Sequence, residues 1–183
     1  GRLWQPLATV MGEAGWQEGA EVGSLTMPQL RFARRFYLRM LLGAYLGVAG
    51  KDVALVRGAK GKPVLDRKGH PEELHFSLSK SGQGLLVGIS GSNEVGVDLE
   101  LECRRPRNTS DLARRFFTPR EAGAIRALDA AERDAAFMRI WACKEAVAKA
   151  SGHGIANRFC RFSIEAGAAR PPVVVEDDDH PAD

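Results

Sequence analysis

Residues 74–102 read LHFSLSKSGQGLLVGISGSNEVGVDLELE, and this stretch decides the fold. Apolar residues alternate with polar ones over residues 74–79, as expected of a strand that buries one face. A polar turn leads into the apolar run 85–89, and a second turn leads into the alternating residues 95–101. Turns this short join antiparallel neighbours, so the stretch predicts a three-stranded antiparallel meander.

Helices are predicted on both sides of this meander. Thr26 and Pro28 mark the start of one helix, and Thr118-Pro119-Arg120-Glu121 has the form of a capping box that opens another. A longer helix is predicted from Asp129 to about Ala150, and short strands at residues 51–57, 159–164 and 172–176. The order of elements predicts an α+β fold. The predicted core face of the first helix consists of Ala33, Tyr37, Met40, Leu41, Ala44 and Val48.

The composition is that of a soluble globular protein, since 44% of the 183 residues are apolar and 27% are charged. No apolar run approaches the roughly 18 residues that span a bilayer. The three cysteines lack metal-ligand spacing and are interpreted as reduced thiols. A formal net charge of +3 does not indicate a nucleic-acid partner. We therefore expect a cytoplasmic protein that binds neither membrane nor nucleic acid.

Asp98 and Glu100 carry the sharpest chemical signal. Residues i and i+2 of a strand share a face, so the two carboxylates are expected side by side. Like charges at that distance repel unless a positive charge lies between them. Mg²⁺ takes one or two carboxylates together with substrate phosphates, and it suits this pair. A solvated strand face has the same pattern, so both interpretations remain open here.

Glu145 and Lys149 are four residues apart and share one face of the predicted helix. The pair is typical of a surface ion pair. It also suits a metal ligand or general base beside a lysine that contacts phosphate.

Basic residues in three other places are candidates for anion binding. Arg31 begins a stripe with Arg35 and Arg39 that suits a phosphate, an acidic protein or plain solvent. Lys62 lies in a glycine- and proline-bounded loop. Residues 79–82 form a polar turn that either binds an anion or simply reverses the chain.

The order of these motifs resembles the Sfp-type (surfactin-synthetase-type) 4'-phosphopantetheinyl transferase family. The resemblance covers roughly residues 28–165, and its most specific blocks are G-x-D-x-E and W-x-x-K-E-A. The matching blocks are Gly61-Lys62-Pro63, Phe76-Ser77-Leu78-Ser79-Lys80-Ser81-Gly82, Gly96-Val97-Asp98-Leu99-Glu100, Phe117-Thr118-Pro119-Arg120-Glu121 and Trp141-Ala142-Cys143-Lys144-Glu145-Ala146.

The resemblance implies two similar α/β halves, residues 1–92 and 93–183, packed as a pseudo-dimer within a monomer. It implies antiparallel sheets, long helices and a cleft for coenzyme A between the halves. The implied Mg²⁺ ligands, for which Mn²⁺ is an alternative ion, are Asp98, Glu100 and Glu145. The implied catalytic residues are Glu145, Lys149 and Asp98, and the implied coenzyme A contacts are Arg31, Lys62, Ser79, Lys80, Asp98 and Lys149.

The implied activity is transfer of 4'-phosphopantetheine from coenzyme A to a serine of an acyl, polyketide or peptidyl carrier protein, with release of 3',5'-ADP. This is holo-[acyl-carrier-protein] synthase activity. Lys80 replaces the family's usual histidine, which leaves open an impaired module that only binds coenzyme A or a carrier protein. A metal-dependent nuclease or phosphatase is a further alternative.

Overall fold

The computed structural model describes residues 26–58, 61–70, 74–101, 106, 108–152, 159–165 and 172–177. The chain divides into two compact units, residues 1–74 and 75–183. The boundary precedes the predicted meander, which therefore belongs to the same unit as the helices that follow it. The functional halves 1–92 and 93–183 stay a prediction.

The described part of the first unit contains a long helix, α1 (Met27–Leu46), and a small antiparallel sheet of β1 (Leu55–Arg57) and β2 (Pro63–Leu65). The predicted helix start is confirmed, with Pro28 in the first turn. The helix ends at Gly47, whose φ of 68° is the left-handed conformation that glycine adopts without steric cost. Strand β2 was not predicted.

The predicted core face of α1 was partly wrong. Leu30, Leu38 and Leu42 are buried, whereas Tyr37 is 60% exposed. Apolar residues occur on more than one side of this helix, so their spacing alone did not identify the buried side. The Nη1 atom of Arg39 donates to the carbonyl oxygen of Val53 at 2.6 Å, so this member of the arginine stripe ties the helix to the following loop.

The second unit begins with a hairpin of β3 (His75–Ser81) and β4 (Gly84–Ser90), as predicted. The predicted third strand was wrong, because residues 95–101 join no backbone ladder among the described residues. They lie along the serine-bearing face of the hairpin instead and follow the direction of β3. The N–H groups of Val97 and Leu101 donate to the hydroxyl oxygens of Ser77 and Ser81, at 3.2 and 3.3 Å.

Three helices and a further two-stranded sheet follow among the described residues of this unit. The helices are α2 (Thr109–Phe116), α3 (Pro119–Ala127) and α4 (Ala130–Ala150), and β5 (Phe162–Glu165) pairs antiparallel with β6 (Val173–Asp177). Helices α3 and α4 were predicted; α2 was not. The structure therefore confirms a mixed α and β fold with small antiparallel sheets. No helix in the described ranges is both long and apolar enough to cross a bilayer.

The core of the second unit is aromatic. Phe117 stacks on Phe137 with 5.0 Å between ring centroids, and Trp141 meets Phe159 edge-on at 5.4 Å. Such ring pairs stabilise a fold by about 0.5–1.5 kcal/mol each beyond the area that they bury. The aromatic side chains of α4, Phe137 and Trp141, therefore pack this helix into the core.

A buried ion pair joins α3, α4 and β5. Lys144 is fully buried, and its Nζ atom lies 2.9 Å from Oε2 of Glu121. The same ammonium group donates to the carbonyl oxygens of Phe159, at 2.6 Å, and Phe162. Glu121 accepts in turn from the backbone N–H of Ile164 at 2.8 Å. Burial lowers the pKa of Lys144, and the hydrogen bond and charge of Glu121 oppose that shift.

Replacing Lys144 by methionine is expected to lower the free energy of unfolding by about 3–5 kcal/mol, because Glu121 would remain as an unpaired buried charge. Urea denaturation measures the change. The double variant Lys144→Met/Glu121→Gln is the control, and it should lose less than the single variant because it buries no unpaired charge. Equal stability of Lys144→Met and the wild type would contradict the structural role of this pair.

Candidate active site

Four predicted site residues meet within the second unit. Ser79 lies on β3, and Asp98 lies within residues 95–101, beside that strand. Glu145 and Lys149 lie one turn apart on α4. Direct hydrogen bonds join Ser79, Asp98 and Lys149. Residues that are 19 to 70 positions apart in the sequence thus form one polar cluster.

Lys149 donates to three acceptors among the residues that the structure describes. Its Nζ atom lies 2.6 Å from Oδ1 of Asp98, 3.1 Å from the hydroxyl oxygen of Ser79 and 3.1 Å from the carbonyl oxygen of Val97. An ammonium group has three N–H donors, so these contacts match its capacity. The contacts fix Lys149 as a positive charge directly beside Asp98.

Asp98 has one satisfied and one unsatisfied oxygen. Its side chain is only 6% exposed, and Oδ1 accepts from both Lys149 and Ser79. The other oxygen, Oδ2, is buried and has no hydrogen-bond partner among the described residues. An unpaired buried carboxylate oxygen is costly, and it typically indicates a water, an ion or a ligand at that position.

Glu145 is buried among other charges. Burial raises its pKa, the negative charge of Asp98 raises it further, Lys149 opposes the shift, and Glu100 adds a smaller increase. These effects require the carboxylates of Asp98 and Glu100 to lie near that of Glu145. The negative charges of Asp98 and Glu100 therefore act on Glu145, and Lys149 is the cation that opposes them in this acidic region.

The chemistry of this region fits a hard divalent cation, because its free donor is the Oδ2 oxygen of Asp98 and Lys149 compensates the carboxylates only in part. The geometry is less complete. In the part of the chain that the structure describes, no three His, Cys, Asp or Glu side chains are grouped closely enough to hold a metal ion. The ligand set Asp98, Glu100 and Glu145 stays a prediction.

The other three predicted coenzyme A contacts are Lys80, Arg31 and Lys62. Lys80 is exposed, and it follows Ser79 on the strand, so its side chain is on the opposite face of β3. Arg31 is an exposed residue of α1, and Lys62 immediately precedes β2, both in the first unit. Their roles toward coenzyme A stay predictions.

Sequence reasoning missed the role of Gly96. A Cβ atom at this position would lie 1.8 Å from the carbonyl oxygen of Ala146 and 2.6 Å from the backbone nitrogen of Ala150. The segment that carries Asp98 therefore touches the backbone of α4. A glycine inside a strand-like alternation is the sequence signal for such a close approach.

The sequence of this chain is similar to those of known proteins. Residues 94–182 match the model of the 4'-phosphopantetheinyl transferase superfamily. The chain is 36% identical over 148 residues to the 4'-phosphopantetheinyl transferase HetI of Nostoc sp., a match that covers 73% of this chain and 62% of HetI. It is 39% identical over 99 residues to the 4'-phosphopantetheinyl transferase AcpT of Salmonella typhimurium, covering 54% of this chain and 49% of AcpT.

A 4'-phosphopantetheinyl transferase of Bacillus subtilis is 29% identical over 92 residues, covering 50% of this chain and 39% of that protein. The matches thus span between 39% and 62% of the length of these three relatives. The superfamily match includes Asp98, Glu100, Glu145 and Lys149, the acidic and basic residues of the cluster.

Gly96→Ala is expected to lower the free energy of unfolding by about 3 kcal/mol, because the added methyl group overlaps backbone atoms that cannot move aside. Gly91→Ala is the matched control, since nothing lies within 4 Å of a Cβ atom there. Chemical denaturation of both variants measures the difference. Two equally small changes would show that residues 95–101 do not rest against α4.

Proposed function

We propose that this chain acts as an Sfp-type 4'-phosphopantetheinyl transferase. It would move the 4'-phosphopantetheine arm of coenzyme A to a serine of an acyl, polyketide or peptidyl carrier protein and release 3',5'-ADP. The observation that carries the proposal is the burial of Glu145 beside the negative charge of Asp98, with Lys149 bonded to Asp98. The names of the three relatives point to the same reaction.

In this reaction the carrier serine oxygen attacks the β-phosphorus of coenzyme A. A new bond forms between that oxygen and phosphorus, and the bond from phosphorus to the 3',5'-ADP oxygen breaks. Asp98, Glu100 and Glu145 would hold Mg²⁺, or Mn²⁺ in its place. When bound, the ion would neutralise charge on the pyrophosphate.

Glu145 is proposed as the base that takes the serine proton. A carboxylate oxygen can accept the serine proton directly or through a water molecule. Without metal, burial and the negative charge of Asp98 raise the pKa of Glu145, and a bound cation would oppose that shift. Lys149 would stabilise the negative charge on the departing phosphate. Its ammonium group donates hydrogen bonds to Asp98, Ser79 and Val97. Contact with phosphate would therefore replace one of these hydrogen bonds or share its N–H donor.

The remaining features of the proposal concern binding and organisation. Arg31, Lys62, Ser79 and Lys80 would contribute to coenzyme A binding, together with Asp98 and Lys149. The halves 1–92 and 93–183 would form the pseudo-dimer of a monomeric cytoplasmic enzyme. Neither nucleic acid nor membrane has a role in this reaction.

Incubation with coenzyme A, Mg²⁺ and an apo carrier protein is expected to add one phosphopantetheinyl group to the carrier, detected by mass spectrometry. A chelator should stop the transfer, and added Mg²⁺ should restore it. Several apo carriers from fatty-acid, polyketide and peptide synthesis should be compared. Coenzyme A binding without transfer to any of them would identify an impaired binding module, and hydrolysis without a carrier would identify a hydrolase.

Glu145→Gln is expected to lower kcat for transfer by at least about 10²-fold, because the amide cannot accept the serine proton. Glu132→Gln on the exposed first turn of α4 is the matched control and should retain normal turnover. Thermal melting confirms that both variants fold. Near-normal turnover of Glu145→Gln would exclude Glu145 as the base.

A further inference from the structure

The hydroxyl group of Ser79 lies between a cation and an anion. Its oxygen is 3.1 Å from Nζ of Lys149 and 2.7 Å from Oδ1 of Asp98. An ammonium group only donates hydrogen bonds and a carboxylate only accepts them. The Ser79 hydroxyl must therefore accept from Lys149 and donate its hydrogen to Asp98, so the direction of both bonds is fixed by chemistry.

This arrangement makes the two oxygens of Asp98 unequal. Oδ1 receives two donors, while Oδ2 is buried and lacks a partner among the described residues. Rotation of the carboxylate would break both bonds to Oδ1 at once. Ser79 and Lys149 together therefore hold Asp98 with Oδ2 presented as the available ligand oxygen.

Ser79 differs in this respect from its neighbours on the same face of β3. Ser77 and Ser81 are also buried, but their hydroxyl oxygens accept from backbone N–H groups of Val97 and Leu101. Those two serines attach residues 95–101 to the hairpin. Among the three, Ser79 is the one whose described bonds go to charged side chains.

We infer that Ser79 is a positioning residue for the cation site, which orients the Asp98 carboxylate through Oδ1 so that Oδ2 is the metal ligand. The inference rests on the proposed function, because it assumes that a divalent cation binds Asp98. In this role Ser79 prepares the cation site before coenzyme A binds. Groups that orient a metal ligand typically change metal affinity 10- to 100-fold when they are removed.

The test is the affinity of the protein for Mn²⁺ without coenzyme A, measured by electron paramagnetic resonance of the unbound ion. Ser79→Ala is expected to bind Mn²⁺ about tenfold more weakly or worse. Ser163→Ala is the control, since it removes a buried hydroxyl on β5 whose described bond goes to Thr118, outside the cluster, and its affinity should equal that of the wild type. Asp98→Asn should lose most of the binding.

The outcomes separate this inference from the proposed function. Wild-type affinity in Ser79→Ala, with binding lost in Asp98→Asn, would overturn the role of Ser79 and leave the metal site in place. Absence of Mn²⁺ binding by the wild type would overturn the inference, whereas the transfer assay with an apo carrier protein decides the proposed function separately. Melting curves in metal-free buffer check the fold, and Ser79→Cys replaces Ser79→Ala if that variant does not melt cooperatively. A thiol is a weak donor of similar size, so the same loss is expected.

Discussion

The buried ion pair between Lys144 and Glu121 is the constraint on which the candidate site depends. It joins α4 to α3 and β5, and the Lys144 ammonium group lies over the ring of Phe162 and near that of Phe117 in the aromatic core. Neighbouring residues on an α-helix point about 100° apart, so fixing Lys144 also fixes the direction of Glu145. The Lys-Glu dipeptide of the W-x-x-K-E-A block thus combines an anchor with a functional carboxylate, and each faces a different part of the molecule.

Electrostatics explains why the cluster beyond that anchor suits phosphate chemistry. Lys149 partly neutralises Asp98, yet Glu145 still experiences the negative charges of Asp98 and Glu100. A negative region repels pyrophosphate unless a cation lies between them. Under the proposed function, acidic residues therefore assist an anionic substrate only through a metal ion, while the lysine serves the charge that develops on the leaving group.

Much of the local structure was predictable from the sequence, whereas contacts between distant residues were not. Capping residues predicted α3 and α4, alternation predicted β3, and a short apolar run predicted β4, because these signals act within a few residues. The third strand was mispredicted because serine hydroxyls took the place of backbone acceptors. Gly84 and Gly88 also leave room for side chains of residues 95–101. A Cβ atom on Gly88 would lie 2.6 Å from Cγ1 of Val97.

The same difference between local signals and contacts of distant residues applies to the candidate site. Family-like motifs identified Asp98, Glu145 and Lys149, and the structure brings them together. The bond from Ser79 to Asp98 and the burial of Lys144 depend on partners that spacing does not reveal. Burial of Lys144 also has a practical consequence: amine-directed labels cannot reach its ammonium group in the folded chain, whereas exposed Lys80 remains open to them. Modification of Lys144 would therefore report the opening of the helical core, with Lys80 as an internal reference for reagent access.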